Sequence, residues 1–206
     1  MDVRSQILQE ATRLFADQGY AGTSIQAIAD AVGIRKPSLL YHFGSKDALR
    51  ECVLDEMLAR WNDVLPQVLV VATRERQFDA VMKVLCGFFV DRPERARLIL
   101  RETLDRPEHM RARILQYVRP WVDVIASQIE RAKADGLVRP DVDGEVYAFQ
   151  VITMVVGSTA VRESLGQAPA RGTTDSAAGP DDDRDRFVRE LTRMARASLY
   201  TNGTAG

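Results

Sequence analysis

A chain of 206 residues, 46% apolar and 28% charged, excludes disorder of the whole polypeptide and allows one large domain or two small ones. Its 28 Lys+Arg against 29 Asp+Glu leave a net charge of −1, which neither invites nor forbids nucleic acid, because binding needs a local basic face. The longest apolar runs, Val68 to Ala72 and Val151 to Gly157, fall far short of the ~20 residues that span a bilayer. No transmembrane helix is expected. With no basic, apolar leader at the N-terminus, the chain is expected to stay in the cytoplasm. Cys52 and Cys86 form no CxxC and are read as reduced core residues.

Apolar residues recur at helical spacing almost throughout, so the chain is predicted to be all-α. The first helix runs from about Val3 to Gln18, with Ile7, Leu8, Ala11, Leu14 and Phe15 on one stripe and Gly19 closing it. Thr23 and Gln26 have the spacing of a capping box at the start of the second, and Gly33 stops it. The third occupies Lys36 to Phe43, with Pro37 in its first turn, and Ser45 can cap the fourth, Lys46 to about Leu65, which Pro66 ends. Longer helices follow at about Arg74 to Val90, Pro93 to Leu104, Glu108 to Gln116, Pro120 to Ala134, Glu145 to Leu165 and Asp185 to Tyr200. The stretch 166–183, with almost no apolar content beyond alanine, is expected to be a mobile loop.

The second and third helices, joined through Val32-Gly33-Ile34-Arg35, have the pattern of a helix-turn-helix. Steps of 100° put Leu39 and Phe43 inward, toward Leu14, Ile25, Ile28, Ala29 and Val32, and turn Pro37, Ser38, Tyr41 and His42 outward. A short helix displaying an aromatic, a hydroxyl and an imidazole among Arg35, Lys36 and Lys46 suits a major groove. The plainer alternative is a three-helix bundle with ordinary polar residues outside and Tyr41 packed on a neighbour.

The run from Ile7 to Leu49, with "LFADQGYAGTS", "IADAVGI", a short helix ending in "YHF", then "SKDAL", resembles the N-terminal DNA-binding domain of the TetR family of bacterial transcriptional regulators. The resemblance covers about the first quarter of the chain. It implies a DNA-binding domain over 1–46 and a ligand-binding and dimerisation domain over 47–206. It implies that Gln26 and Ala27 lie near the DNA backbone, that Thr23 or Ser24 can donate to a phosphate, and that the third helix reads the operator through Arg35, Lys36, Pro37, Ser38, Leu40, Tyr41 and His42. Lys46 matches a lysine that meets a phosphate at a helix N-terminus, where an anion is already favoured. Two positions depart from the family pattern: Leu40 stands where tyrosine is common, and Arg35 where a small capping residue is usual. Arg4, Arg13, Arg35, Lys36, Lys46 and Arg50 are nearly balanced by Asp2, Glu10, Asp17, Asp30 and Asp47, so salt dependence should be modest for a DNA-binding head. A head this small needs a symmetric dimer reading two half-sites.

Val151, Val155 and Ser158 on one late helix, with Phe187, Leu191 and Met194 on the last, are candidates for the dimer contact, the alternative being a purely intrachain core. Met57, Trp61, Met82, Phe88, Phe89, Met110, Tyr117, Trp121 and Met154 could line a pocket for a fairly hydrophobic small molecule, although such residues are core more often than pocket. His109 is expected at the surface, and Glu102 in a surface ion pair. No metal or other cofactor is assigned, and no assembled catalytic chemistry is found. The chain is thus expected to be a ligand-responsive repressor, released from a palindromic operator by its effector. The alternative is a helical protein-interaction module or small-molecule-binding protein without DNA binding.

Overall fold

A computed structural model describes residues 2–71, 74–162, 164 and 180–200, with the side chains of 61, 63–71, 74–77 and 180–182 left undescribed. The described residues are all-α, as expected. In chain order the helices are α1 (Val3–Gly22), α2 (Ile25–Val32), α3 (Lys36–Phe43), α4 (Lys46–Val71), α5 (Arg74–Val90), α6 (Pro93–Asp105), α7 (Pro107–Arg113), α8 (Arg119–Ala134), α9 (Gly144–Val161) and α10 (Pro180–Leu199). A π-helical turn, Ile114–Val118, joins α7 to α8.

Several boundaries differ from the sequence expectation. Gly19 kinks α1 without ending it: its φ of 75 is left-handed, and the helix resumes to Gly22. Ser24, not Thr23, caps α2 by accepting from the Ala27 N–H at 3.0 Å. The Thr23 hydroxyl points inward and donates to Leu14 O (3.0 Å) and Gly19 O (2.8 Å), so the residue is buried. Pro66 does not end α4, which continues to Val71. Residues 180–183 of the predicted loop belong to α10, and 166–179 lie outside the described residues.

Gly33 (φ 77) turns α2 into α3, and its N–H reaches Ala29 O and Asp30 O, satisfying carbonyls left open at the end of α2. Arg35 starts α3 without a side-chain cap. Ser45 caps α4 by accepting from the Ala48 N–H at 3.0 Å.

The apolar stripe of α1 is buried against Ile28, Ala29, Leu39 and Phe43, and the same core runs on through Leu49, Val53, Leu54, Met57 and Leu58 of α4 to Leu98 of α6 and Met110 of α7. The three-helix head is therefore welded to the base of the bundle. A second core joins α5, α6, α9 and α10 around Met82, Cys86, Val155 and Leu191, and a third pins the end of α10 to α8 and α9. Tyr147 donates its hydroxyl to Ala195 O at 2.8 Å, fixing α10 on α9. Cys86 is buried in the second core and Cys52 is half-buried against the first; burial pushes the Cys86 thiol up to about 11, which keeps it unreactive at neutral pH. Among the described residues α9 is long and apolar enough by length and composition to cross a bilayer, although no such helix was expected; it packs against α5, α6, α8 and α10.

Alanine at position 19 would have to hold a left-handed backbone, and its Cβ would stand 2.8 Å from the Arg101 Nη1. Gly19→Ala is expected to cost about 1–2 kcal/mol and to lower the thermal midpoint by roughly 2–8 °C; an unchanged midpoint in a circular-dichroism melt would contradict the assignment.

Candidate operator-reading face and effector cavity

The outward face of α3 is the face the periodicity predicted. Leu39 and Phe43 are buried, while Pro37, Ser38, Tyr41 and His42 are exposed, Tyr41 to 88%. A tyrosine ring left so open buries little of the apolar area that usually stabilises it. Arg35 and Lys36 are exposed at the start of the same helix, and Leu40 is half-buried at its edge. Ser24 is exposed beside this face; its oxygen accepts from Ala27, which leaves its O–H to donate elsewhere. Gln26 is exposed and donates to Asp30 Oδ1 at 2.7 Å. Thr23 is withdrawn from any such role, because both its hydroxyl contacts and its burial turn it into the head.

Lys46 is half-buried, not freely extended: its ammonium lies 4.1 Å from the centroid of the Tyr20 ring. Arg50 (4.4 Å) and Arg106 (5.1 Å) approach the same ring, so two cations of α4 and one from the junction between α6 and α7 surround one aromatic side chain of α1. Burial, opposed by Asp47, lowers the Lys46 pKa. Sequence reasoning missed this cluster, since nothing in the spacing of Tyr20, Lys46, Arg50 and Arg106 shows that a kink at Gly19 brings them together.

The junction holds more buried charge. Arg50 is a buried side chain whose Nη2 reaches Glu51 at 2.9 Å, while its Nε and Nη1 have no hydrogen-bond partner. Arg113 donates from Nε to Asp55 Oδ1 at 2.8 Å and from Nη2 to Glu51, tying α7 to α4. Burial would raise the Glu51 carboxyl, but Arg113 and Arg50 outweigh it and hold that carboxyl below its usual value. Glu102 is buried rather than in the expected surface ion pair, and burial raises its pKa despite Arg50 and Arg106. His109 is exposed, as expected.

A cavity of about 560 Å³ lies in the bundle behind the head. Its inner wall comes from Met57 and Leu58 of α4, Phe88 and Phe89 of α5, Ile99, Leu100 and Thr103 of α6, and Met110 of α7. The π-helical turn contributes Ile114, Leu115 and Val118, α8 adds Arg119 and Val122, and α9 closes the far side over Glu145 to Gly157. The wall is almost wholly apolar: the Thr103 hydroxyl donates to Ile99 O at 2.7 Å, which leaves little polar capacity toward the interior. Charge sits at the rim, where Arg119 donates from Nη1 to Glu145 Oε1 (2.6 Å) and from Nε to Asp123 Oδ1 (2.8 Å).

Of the residues expected to line a pocket, Met57, Phe88, Phe89 and Met110 do so. Met82 faces away, into the second core; Tyr117 packs on the head's core; and Trp121, half-buried against the second core, donates to Asn62 Oδ1 at 2.5 Å. Met154 stands about 200° round α9 from Ile152 and lines a separate shallow groove with Phe149, Gln150 and Ser158. The Trp61 side chain lies outside the described residues. The missed wall residues are mostly aliphatic ones on α6 and α9, which in sequence look like ordinary core.

The expected dimer contacts are also partly corrected. Val155 and Leu191 are buried in the chain's own core, and Val151 and Phe187 pack against it, because they sit on the sides of α9 and α10 that face each other and α5. Ser158 is half-buried, and Met194 is 52% exposed. The large apolar residues that α9 leaves in solvent are Val146, Phe149 and Val161.

Residues 7–53 match the family described as "Bacterial regulatory proteins, tetR family", and residues 99–178 match "Tetracyclin repressor-like, C-terminal domain". The HTH-type transcriptional repressor KstR2 of Mycolicibacterium smegmatis is 31% identical over 156 residues, which span 71% of this chain and 73% of that protein. The solved structure of AibR in complex with isovaleryl coenzyme A and operator DNA is 26% identical, with a TM-score of 0.68 over 93% of this chain and 98% of that one. The structure of the ketosteroid transcriptional regulator KstR2 of Mycobacterium tuberculosis shares the fold, with a TM-score of 0.68 at 18% identity over 98% of this chain and 96% of that one.

Half-buried Glu51 and buried Glu102 at the junction predict opposite pH responses. The Glu51 pKa is depressed in the fold, so its contribution to stability is complete above the unfolded value and is lost as pH falls through the folded one. The Glu102 pKa is raised, so its ionisation weakens the fold as pH climbs from the unfolded value through the folded one. Glu102→Gln is therefore expected to raise the thermal midpoint at pH 7 and to lose that advantage by pH 4, whereas Glu51→Gln should lower it at pH 7. A Glu102→Gln chain less stable than wild type at pH 7 would contradict the assignment.

Proposed function

Because this chain belongs to the TetR family of bacterial transcriptional regulators, we propose that it acts as a dimeric repressor, two heads reading a palindromic operator and a small apolar effector in the bundle cavity releasing them. The observation that carries the reading is the outward face of α3, where Tyr41 stands 88% exposed between Ser38 and His42 with Arg35 and Lys36 beside it. In this reading Arg35, Lys36, Pro37, Ser38, Tyr41 and His42 meet the major groove, and Leu40 at the edge meets a thymine methyl. Ser24 and Gln26, in the first turn of α2, meet the backbone. Lys46 reaches a phosphate from the start of α4, leaving the Tyr20 ring or sharing it.

The cavity supports an effector with a sizeable apolar part, since its wall has hydrocarbon on every described helix from α4 to α9. AibR is similar over nearly the whole chain and was solved with isovaleryl coenzyme A, whose branched acyl group is the kind of moiety such a wall favours. An acyl group would lie inside, with a polar carrier outside the Arg119–Glu145 rim. Effector binding would work through α4 and α6, which line the cavity with Met57, Leu58, Ile99 and Leu100 and also hold the head. Operator and effector must then weaken each other's binding by the same factor.

Fluorescence anisotropy against tiled DNA upstream of the chain's own and adjacent genes tests the reading. One palindromic tile is expected to bind tightly and with salt sensitivity. Tyr41→Ala should cost specific affinity more than nonspecific affinity, and Lys46→Ala should weaken both and reduce the logarithmic salt slope by about 1. Equal binding to every tile, or none, would favour a helical ligand-binding protein without operator recognition.

A further inference from the structure

Arginines of α6 follow the end of α1 down to the base of the head. Arg97 pairs with Asp17 at 3.0 Å, the Arg101 Nη1 stands 2.8 Å from where a Cβ on Gly19 would be, and Arg106, just past the end of α6, holds its guanidinium 5.1 Å from the centroid of the Tyr20 ring. The series ends at the edge of the head that faces DNA in the operator reading. Ser24, the cap of α2, follows shortly after Tyr20 in the chain, and Lys46 at the start of α4 stands on the same ring, 4.1 Å from its centroid. Both meet backbone phosphates in that reading.

The cations of the DNA-facing surface differ from the others in their partners. Within the head Arg4, Arg13 and Arg50 form ion pairs with acids, whereas among the described residues Arg35, Lys36 and Lys46 form none. Arg106 belongs with the second group. It is half-buried, so its guanidinium is partly open to solvent, and among the described residues no acid forms an ion pair with it, although Glu102 lies close enough to feel its charge. Arg50 is unsuited to the same task, because its side chain is 3% exposed and already paired with Glu51.

We infer that Arg106 contacts the operator backbone, taking the phosphate next to the one that Lys46 takes, so that the effector-binding bundle itself holds DNA. The inference rests on the operator reading above. A guanidinium on phosphate oxygens is a charge-assisted and often bidentate pairing. An anion at this place also adds to what Tyr20, Asp47 and Glu102 do against the mutual repulsion of Lys46, Arg50 and Arg106. The consequence concerns release. α6 lines the cavity with Ile99, Leu100 and Thr103 and ends beside Arg106, so an occupant that moves α6 withdraws a DNA contact directly, without first turning the head.

The test uses the full chain, the operator fragment found by tiling and an unrelated duplex of equal length, with fluorescence anisotropy between roughly 50 and 300 mM KCl. Arg106→Met and Arg106→Gln both remove the charge, the first keeping a long stem against Tyr20. Each is expected to remain folded, to bind both duplexes at least threefold more weakly at the low-salt end, and to reduce the logarithmic salt slope by about 1 for each head. Arg106→Lys keeps the charge and should keep the wild-type slope. Arg139→Gln, which removes a charge on the turn between α8 and α9, should keep it too. An Arg106 that served only to stack α6 on Tyr20 would give variants with a lower thermal midpoint and an unchanged slope, and that result overturns the inference. So does a slope that falls as far in Arg106→Lys or Arg139→Gln as in Arg106→Met. A wild-type chain that binds neither duplex overturns the operator reading, and this contact with it.

Discussion

The helix α6 has two obligations that cannot be met independently. It packs along α1 on one side and along α9 on the other. On the α1 side Leu98 is fully buried in the head's core, Arg97 pairs with Asp17 at 3.0 Å, and Arg106, just past the end of α6, faces Tyr20. On the α9 side Ile99, Leu100 and Thr103 form cavity wall. A close-packed interior transmits displacement instead of absorbing it. Any occupant that pushes Leu100 must therefore strain the seat of α1, unless α6 moves and carries the head with it.

The electrostatics of the junction sharpen this dependence. Lys46, Arg50 and Arg106 gather round one tyrosine ring, and like charges so close repel one another unless anions or an aromatic face offset them. Glu51 and Glu102 supply part of that offset, and two donors of Arg50 remain unpartnered in the interior. Arg113, bound to both Glu51 and Asp55, links the same region of α4 to α7 and so to the π-helical turn at the cavity's mouth.

The head was legible in the sequence because local rules specify it. Gly33 marks a left-handed turn, Ser45 a cap, and the spacing of Leu39 and Phe43 fixes which way Tyr41 and His42 point; each follows from residues within a few positions of one another. Thr23 failed for a local reason as well: Thr and Ser both cap helices, and only the kink at Gly19 decides that Thr23 turns inward and Ser24 takes the cap. The cavity was legible only in outline. Met57, Phe88, Phe89 and Met110 were found through their bulk, but whether an aliphatic residue such as Leu100 or Ile152 faces a cavity or a neighbour depends on helix packing between distant segments. Val155 and Leu191 erred through the same ambiguity, since a helix apolar on most sides does not say which side its own chain covers. The π-helical turn shifts the register of everything after Arg113, and no composition signal announces it.

The account stands on one coupling, that filling the cavity displaces the head. Leu100→Trp fills it from α6 without an effector, and the direct measurement is the affinity of that variant for the operator fragment against an unrelated duplex of equal length at the same salt. The account predicts that the variant stays folded and dimeric, loses at least tenfold in operator affinity and keeps its affinity for the unrelated duplex. A folded, dimeric variant that binds the operator as tightly as wild type would contradict it.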